Sequence, residues 1–227
     1  MSTKPIKIAL DGPSGAGKSS LAKAVAKELG LVYVDTGALY RTIGLYAQRN
    51  GIDPQNAEAV TAMLPSVRLD LTYCDGKQCI LLDGEDVGDS IRTPEISMYA
   101  SHVSAIPAVR AFLLDTQRNI AKTTSVIMDG RDIGTVIFPD AEVKIFLTAS
   151  IEARAKRRYL ELQAKGDTTT YDEVLSQMKE RDDNDRNRAV APAVPAADAI
   201  MLDNSGITPE ETTAAAVAII ERTLKKK

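Results

Sequence analysis

The segment Gly12-Pro13-Ser14-Gly15-Ala16-Gly17-Lys18-Ser19 lies between the apolar run IKIALD at 6–11 and an amphipathic run from Lys18 to Leu29. This order of strand, glycine-rich loop and helix constrains the fold more than any other feature of the chain. The spacing is G-x-x-x-x-G-K-[ST]. Glycines let backbone N–H groups close around phosphate oxygens, and the start of the helix adds its partial positive charge. Lys18 then reaches the outer phosphates while a hydroxyl serves Mg²⁺. Ser19 occupies the hydroxyl position, with Ser20 beside it. A dinucleotide fingerprint fits worse, because counting from Gly15 and Gly17 places Ser20 where the third glycine belongs. The motif therefore defines a nucleoside triphosphate site without naming a reaction. Switch GTPases share it, but they usually read guanine with Asn-Lys-x-Asp, and the chain has no Asn-Lys dipeptide. A nucleotide-binding protein without transfer activity stays open.

The pattern continues with the strand LVYVD at 31–35, completing a β-α-β unit, and with helices at about 38–49 and 54–63, the second capped by Asp53 with Pro54 in its first turn. Residues 67–87 change period. LDLTYC alternates, Asp75-Gly76 turns, QCILLDGEDV returns and Asp83-Gly84 bends again, which predicts a small antiparallel lobe. Its two cysteines, Cys74 and Cys79, read as reduced thiols that could be cross-strand neighbours, and with only His102 to help them they make no zinc site. Helices resume at Thr93-Pro94-Glu95 and over 107–121, followed by strands SVIMD at 125–129 and VKIFLT at 143–148. A helix from Ser150 to near Gly166 carries Arg154, Arg157 and Arg158, and a second runs from about Asp172 into KERDDNDRNR. Strand AIMLD at 199–203 and a helix capped by Thr208-Pro209-Glu210 complete the chain.

Strands alternating with helices predict an α/β fold, a doubly wound parallel sheet with two insertions. The expected division is a core of 1–35, 105–149 and 189–227, an insertion over 36–104 that includes the β lobe, and a helical lid over 150–188. At 227 residues, two independent full-size domains would fit tightly.

Composition narrows the chemistry. A formal charge of −3 gives no global attraction to nucleic acid or to a membrane surface. No apolar run approaches the roughly 20 residues of a membrane span, and no signal-peptide pattern precedes the first strand, so a cytoplasmic location is expected. The chain has no Trp, three Phe and one His, which removes base-stacking platforms, His-rich metal sites and most His-based acid–base schemes.

Cations and carboxylates gather instead at strand ends, where sheets of this kind form their ligand crevice. Asp35-Thr36-Gly37-Ala38-Leu39-Tyr40-Arg41 delivers a hydroxyl and, one helical turn on, an arginine. Asp129-Gly130-Arg131-Asp132 offers a carboxylate for the Mg²⁺ shell and a charged pair for a ligand. Arg181, Asp185 and Arg188, four and three apart, share one helix face. Arg154, Arg157 and Arg158 also share a face, where like charges repel unless an anion or Asp182 and Asp183 answer them. Phosphoryl transfer needs this set: a phosphate loop, Mg²⁺, converging cations and a lid that excludes water.

Taken in order, GPSGAGKS, DTGALYR, DGRDIGTVIFPDA and RDDNDRNRAVAP closely resemble the bacterial cytidylate kinases, the P-loop nucleoside monophosphate kinases that make CDP from CMP and ATP. The likeness runs essentially end to end, and the last two segments are far more specific than the phosphate loop. It implies a core, a monophosphate-binding region enlarged by a small β insertion, and an arginine-bearing lid. It also implies ATP at Gly12, Pro13, Ser14, Gly15, Ala16, Gly17, Lys18, Ser19, Ser20 and Arg157, with Arg154 and Arg158 as alternatives to Arg157. The CMP phosphate falls to Thr36, Arg41, Arg131 and Arg188, the cytosine to Ser101, Arg110 and Asp132, and the sugar and closing lid to Arg181 and Asp185. Many relatives carry Ser where Thr36 stands, and the hydroxyl is kept. Mg²⁺ is expected directly at Ser19, with Asp129 able to join its shell. Members accept dCMP well and UMP poorly, and a monomer is expected.

Transfer by this set needs no protein nucleophile and no His base, since a CMP phosphate is already largely dianionic near neutral pH. Lys18, Arg41, Arg131, Arg181 and Arg188 would neutralise developing charge, while Asp132 and Arg110 read the base edge. An adenylate- or shikimate-type kinase and a nucleotide-binding protein without transfer activity are the rival readings.

Overall fold

Short apolar strands that end in Asp, Gly or Thr build the sheet. In the computed structural model, which describes residues 5–74 and 77–226, these are Lys7–Asp11 (β1), Val32–Asp35 (β2), Val126–Gly130 (β6), Val143–Thr148 (β7) and Ile200–Asp203 (β8). They lie in the order β2-β6-β1-β7-β8, and β1 pairs in parallel with both β6 and β7, as β7 does with β8. Strands buried on both faces read as continuous apolar runs, and β1, β6 and β7 do so. The register sets Asp129 beside Leu10 and Gly130 beside Asp11, so the carboxylate one residue before the end of β6 stands next to the strand that opens into the phosphate loop.

The helices follow from their caps. Lys18–Leu29 (α1) is closed by Gly30 in the left-handed region. Thr36–Arg49 (α2) begins two residues earlier than its pattern suggests, because the Asp35 carboxylate accepts the Ala38 N–H and caps it there. Ala57–Met63 (α3) is the clearest departure from expectation. Asn56, not Asp53, is its cap, since Asp53 spends its side chain on Gln55 N–H in the turn that Pro54 starts. Pro94–Val103 (α4), capped by Thr93, and Pro107–Ile120 (α5) follow. Ile151–Gln163 (α6) is capped by Ser150, while Tyr171–Asn187 (α7) and Pro209–Leu224 (α8) both start in capping boxes, at Thr170 and Thr208.

The antiparallel lobe is present as Leu69–Cys74 (β3), Lys77–Leu82 (β4) and Glu85–Asp86 (β5), in that order. Cys79 stands opposite Thr72 and Cys74 opposite Lys77, so the two cysteines are not a directly opposed pair. Cys79 is a free thiol. The Asp75-Gly76 turn and the Cys74 side chain lie outside the described residues, while the Asp83-Gly84 bend is seen, with φ of 52° and 85°.

The chain forms two compact units, Met1–Tyr33 with Thr123–Lys227, and Val34–Lys122. In the first, Ile8, Leu10, Leu21, Val25, Ile145, Leu147 and Ile220 are buried between the sheet, α1 and α8. A separate cluster of Ala155, Leu162, Val174 and Met178 joins α6 to α7, with Tyr159 and Tyr171 edge-to-face against it at 6.1 Å. In the second unit, Leu39, Ile43, Val60, Ile80, Leu82, Ile96 and Leu113 make one core of α2 to α5 and the lobe.

Candidate active site

The phosphate loop follows directly from β1. Gly12 has φ of 151°, and a Cβ there would come within 2.0 Å of the Leu147 carbonyl oxygen, so only glycine fits. Gly17 precedes α1 at φ 90° without a side-chain cap, leaving the first-turn N–H groups of α1 to a ligand. Lys18 is buried, and its Nζ donates to the Pro13 carbonyl at 2.7 Å. Burial, then the nearby Arg131 charge, lowers its pKa well below the usual lysine range, an environment that a polyphosphate would relieve. Ala16 is fully buried, while Ser20 is exposed.

Ser19 Oγ donates to Asp129 Oδ2 at 2.8 Å, and the other Asp129 oxygen accepts from the Tyr33 hydroxyl at 3.1 Å. A hydroxyl and a carboxylate held together by a phosphate loop form a hard, oxygen-only pair. That donor set fits Mg²⁺, which takes one or two protein oxygens and completes its shell with water and phosphate. No cluster of three or more His, Cys, Asp or Glu suited to a metal occurs among the described residues.

The arginine set belongs to the same unit, and the Asp129 charge acts on Arg131. Arg131 Nε donates to Asp185 Oδ2 at 2.8 Å and its Nη1 to the Gly130 carbonyl at 3.3 Å. Burial works against the Arg131 charge, but Asp185 and Asp129 outweigh it and raise its pKa. Burial likewise opposes ionisation of Asp185, and Arg131 and Arg181 overcome it, holding the carboxyl below the ordinary range. Arg188 does not share the helix face expected with Arg181 and Asp185: α7 ends at Asn187 and Arg188 is extended, which carries it to Asp132 Oδ1 at 3.5 Å and the Ala191 carbonyl at 2.6 Å. The charges of Arg131 and Arg181 both act on Lys18, which draws three of the predicted cations into one electrostatic neighbourhood.

The three arginines of α6 separate cleanly. Arg154 is buried, bonded to the Ser14 and Ala149 carbonyls at 2.9 and 3.0 Å and paired with Asp182 at 2.7 Å. Arg157 holds Asn204, its Nη2 2.6 Å from the carbonyl and its Nη1 3.2 Å from Oδ1. Arg158 lies on the surface with Glu161. Asn204 also donates from Nδ2 to the Ala16 carbonyl at 3.0 Å, tying α6 to the phosphate loop.

In the second unit, Thr36 is buried in the first turn of α2. Arg41 Nη2 pairs with Asp35 Oδ2 at 2.8 Å, while its buried Nε has no hydrogen-bond partner among the described residues, a donor suited to an anion. Gly37 makes room for this pair: a Cβ there would sit 2.9 Å from Arg41 Nη1 and 3.2 Å from Asp35 Oδ1. Arg110 is buried over the Tyr40 ring at 5.5 Å and donates to the Ser104 carbonyl, while Ser104 Oγ donates to the Ser101 carbonyl. Ser101 and Arg110, from different helices, are thus linked through Ser104.

Sequence reading passes over Asp11, Tyr33 and Asn204, and it names Asp35 only as a strand end. Asp11, Asp35 and Asn204 each stand at or just past the end of a strand, which is the signal that marks them.

A phosphate loop with a buried lysine, a hydroxyl–carboxylate pair and arginines gathered on a helix define a P-loop phosphotransferase of the α/β class. The model of the cytidylate kinase family matches residues 8–222. Similar curated proteins include the cytidylate kinases of Caldicellulosiruptor bescii, 46% identical over 99% of both chains, of Caldicellulosiruptor saccharolyticus, 50% identical over 92% of both, and of Pasteurella multocida, 45% identical over the whole of both. This chain belongs to the cytidylate kinase family. A solved structure of an uncharacterized protein from Eubacterium ventriosum has a TM-score of 0.51 at 12% identity, covering 95% of this chain and 98% of that one, a likeness of fold alone.

Proposed function

We infer that this protein transfers the γ-phosphoryl group of ATP to CMP or dCMP, giving ADP and CDP or dCDP within pyrimidine nucleotide metabolism. One observation carries the reading. The segment from Asp129 to Asp132 is clasped to α7 through Arg131–Asp185 and, through Asp132, to Arg188 in the extended residue that ends that helix, one strand over from the phosphate loop, in a chain of this family.

The phosphate loop, Gly12 to Ser20, holds the ATP phosphates, with Lys18 on the outer ones and Arg157 assisting from α6. Ser19 and Asp129 would hold Mg²⁺, which when bound neutralises charge on the β- and γ-phosphate oxygens. Thr36, Arg41, Arg131 and Arg188 serve the acceptor phosphate. Ser101, Arg110 and Asp132 serve the base, and Arg181 and Asp185 the sugar. An acceptor phosphate oxygen attacks the γ-phosphorus in line while the bond to the ADP oxygen breaks. The side chains position the reactants and spread the charge. Residues 150–188 act as the lid and 36–104 as the acceptor region of a monomeric, cytoplasmic enzyme. No helix among the described residues is long and apolar enough to cross a membrane.

The test is Mg²⁺-dependent ADP formation from ATP with CMP, dCMP, UMP, AMP, GMP and shikimate supplied separately, beside a control without acceptor. Strong turnover with CMP and dCMP is expected. Turnover with another acceptor alone would keep the phosphotransferase and overturn the base-reading residues. A folded, ATP-binding sample silent with every acceptor would overturn the enzyme.

A further inference from the structure

Asp11 ends β1 one residue before the phosphate loop, yet its carboxylate is committed elsewhere. Oδ1 accepts the Ile133 N–H at 2.8 Å and Oδ2 the Gly134 N–H at 2.7 Å. These amides open the single π-helical turn Ile133–Ile137, whose own preceding residue, Asp132, gives no side-chain cap. The unmet N–H groups that begin a helix need an acceptor. Here it comes from a strand more than a hundred residues earlier. The seat is close-fitting: a Cβ at Gly134 would stand 3.1 Å from Lys144 Cδ and 3.4 Å from Asp11 Oδ2.

Asp11 is almost fully buried, a costly place for a carboxylate. Burial, helped by Asp132, pushes its pKa up to about 6 against the two N–H groups and Lys18. Apolar packing would hold a turn at lower cost, so the cost points to a constraint on position. The two amides immediately follow Arg131 and Asp132.

We propose that Asp11 is the positioning residue of the acceptor-reading segment: by gripping the Ile133 and Gly134 amides it fixes Arg131 and Asp132 in register with the phosphate loop. The proposal rests on Asp132 and Arg131 serving the acceptor. Donor and acceptor recognition then share one anchor, the last residue of β1.

Asp11→Asn tests it, since an amide accepts from one N–H and presents its own N–H₂ to the other. KM for CMP should rise about tenfold and the preference for CMP over UMP in kcat/KM should fall about fivefold, with KM for ATP within about twofold. Hydrogen exchange at Ile133 and Gly134 should accelerate at least about tenfold while the central amides of β1 and β7 stay protected. Combined with Asp132→Ala, the variant should cost no further base preference than Asp132→Ala alone. Gly134→Ala, which presses the same seat from its other side, should give the same pattern and serves if Asp11→Asn fails to fold. Equal rises in KM for ATP and CMP, a fully additive double variant, or unchanged exchange at the two amides would each overturn the proposal. If the unmodified enzyme uses a different acceptor, the function reading falls and exchange at the two amides decides the role of Asp11.

Discussion

Ser19 Oγ and Asp129 Oδ2, on α1 and β6, share a hydrogen bond of 2.8 Å, although 110 residues separate them. If this pair holds Mg²⁺ as proposed, removing the hydroxyl leaves the carboxylate in place but halves the protein's share of the shell. Ser19→Ala should raise the Mg²⁺ concentration for half-maximal rate about 10- to 100-fold. ATP binding without metal should change less than about twofold. A Mg²⁺ titration of initial rates checks this, and an unchanged midpoint would remove Ser19 from the metal.

Asp35 has two tasks, capping α2 and holding Arg41. Substitution separates them. Asp35→Ala should lose about 1 kcal/mol for the cap and raise KM for CMP at least about tenfold. Asp35→Asn keeps a capping oxygen but not the charge, so its melting temperature should stay near that of the unmodified protein while KM for CMP still rises. Thermal melts with acceptor kinetics on both variants distinguish the tasks, and a normal KM in both would free Arg41 from dependence on Asp35.

The arginines of α6 should respond in three different ways. Arg158→Ala removes only an exposed contact with Glu161 and should leave KM for ATP within about twofold. Arg157→Ala loosens Asn204 from its hold beside the phosphate loop and should raise KM for ATP about tenfold. Arg154→Ala strands Asp182 and two carbonyls in buried surroundings and should cost about 3–5 kcal/mol of stability before any kinetics are read. Denaturation curves and ATP titrations of the three variants give the comparison.

Stability should depend on pH through two carboxylates acting in opposite senses. The pKa of Asp185 is lowered in the folded state, so its contribution is present above about pH 4 and is lost as pH falls through the folded value. Asp11 is raised to about 6, so the folded chain holds that proton more tightly than the unfolded one. Its contribution therefore declines as pH rises from about 4 to 6 and is flat above. The stability of Asp11→Asn relative to the unmodified protein should climb across that window, by up to about 3 kcal/mol. Denaturant melts at half-unit pH steps check the sign, and a flat difference would contradict it.

The phosphate loop, the strand ends and most helix limits can be read from the chain because their causes are local: glycine spacing, apolar period and capping residues. Where two local signals compete, reading fails. Asp53 and Asn56 can each cap a helix, and the turn begun by Pro54 decides for Asn56. Tyr33 with Asp129, Asp11 with Ile133 and Gly134, and Arg157 with Asn204 are illegible for a different reason. Each partner follows from parallel strand order and register, which no short window contains. The two cysteines also turn on register, since a slip of one residue changes every opposite pair.

The second unit is one uninterrupted stretch, entered from β2 and left into β6, and those strands are neighbours joined from Val32 N–H to the Ser125 carbonyl at 3.0 Å. Entry and exit therefore meet at a single seam in the sheet. Such a seam makes the stretch a cassette. Evolution, or a designer, can lengthen, trim or exchange it while the phosphate loop, the Ser19–Asp129 pair and the Arg131–Asp185 pair keep their own framework, so the inserted stretch and the phosphate loop can diverge at different speeds.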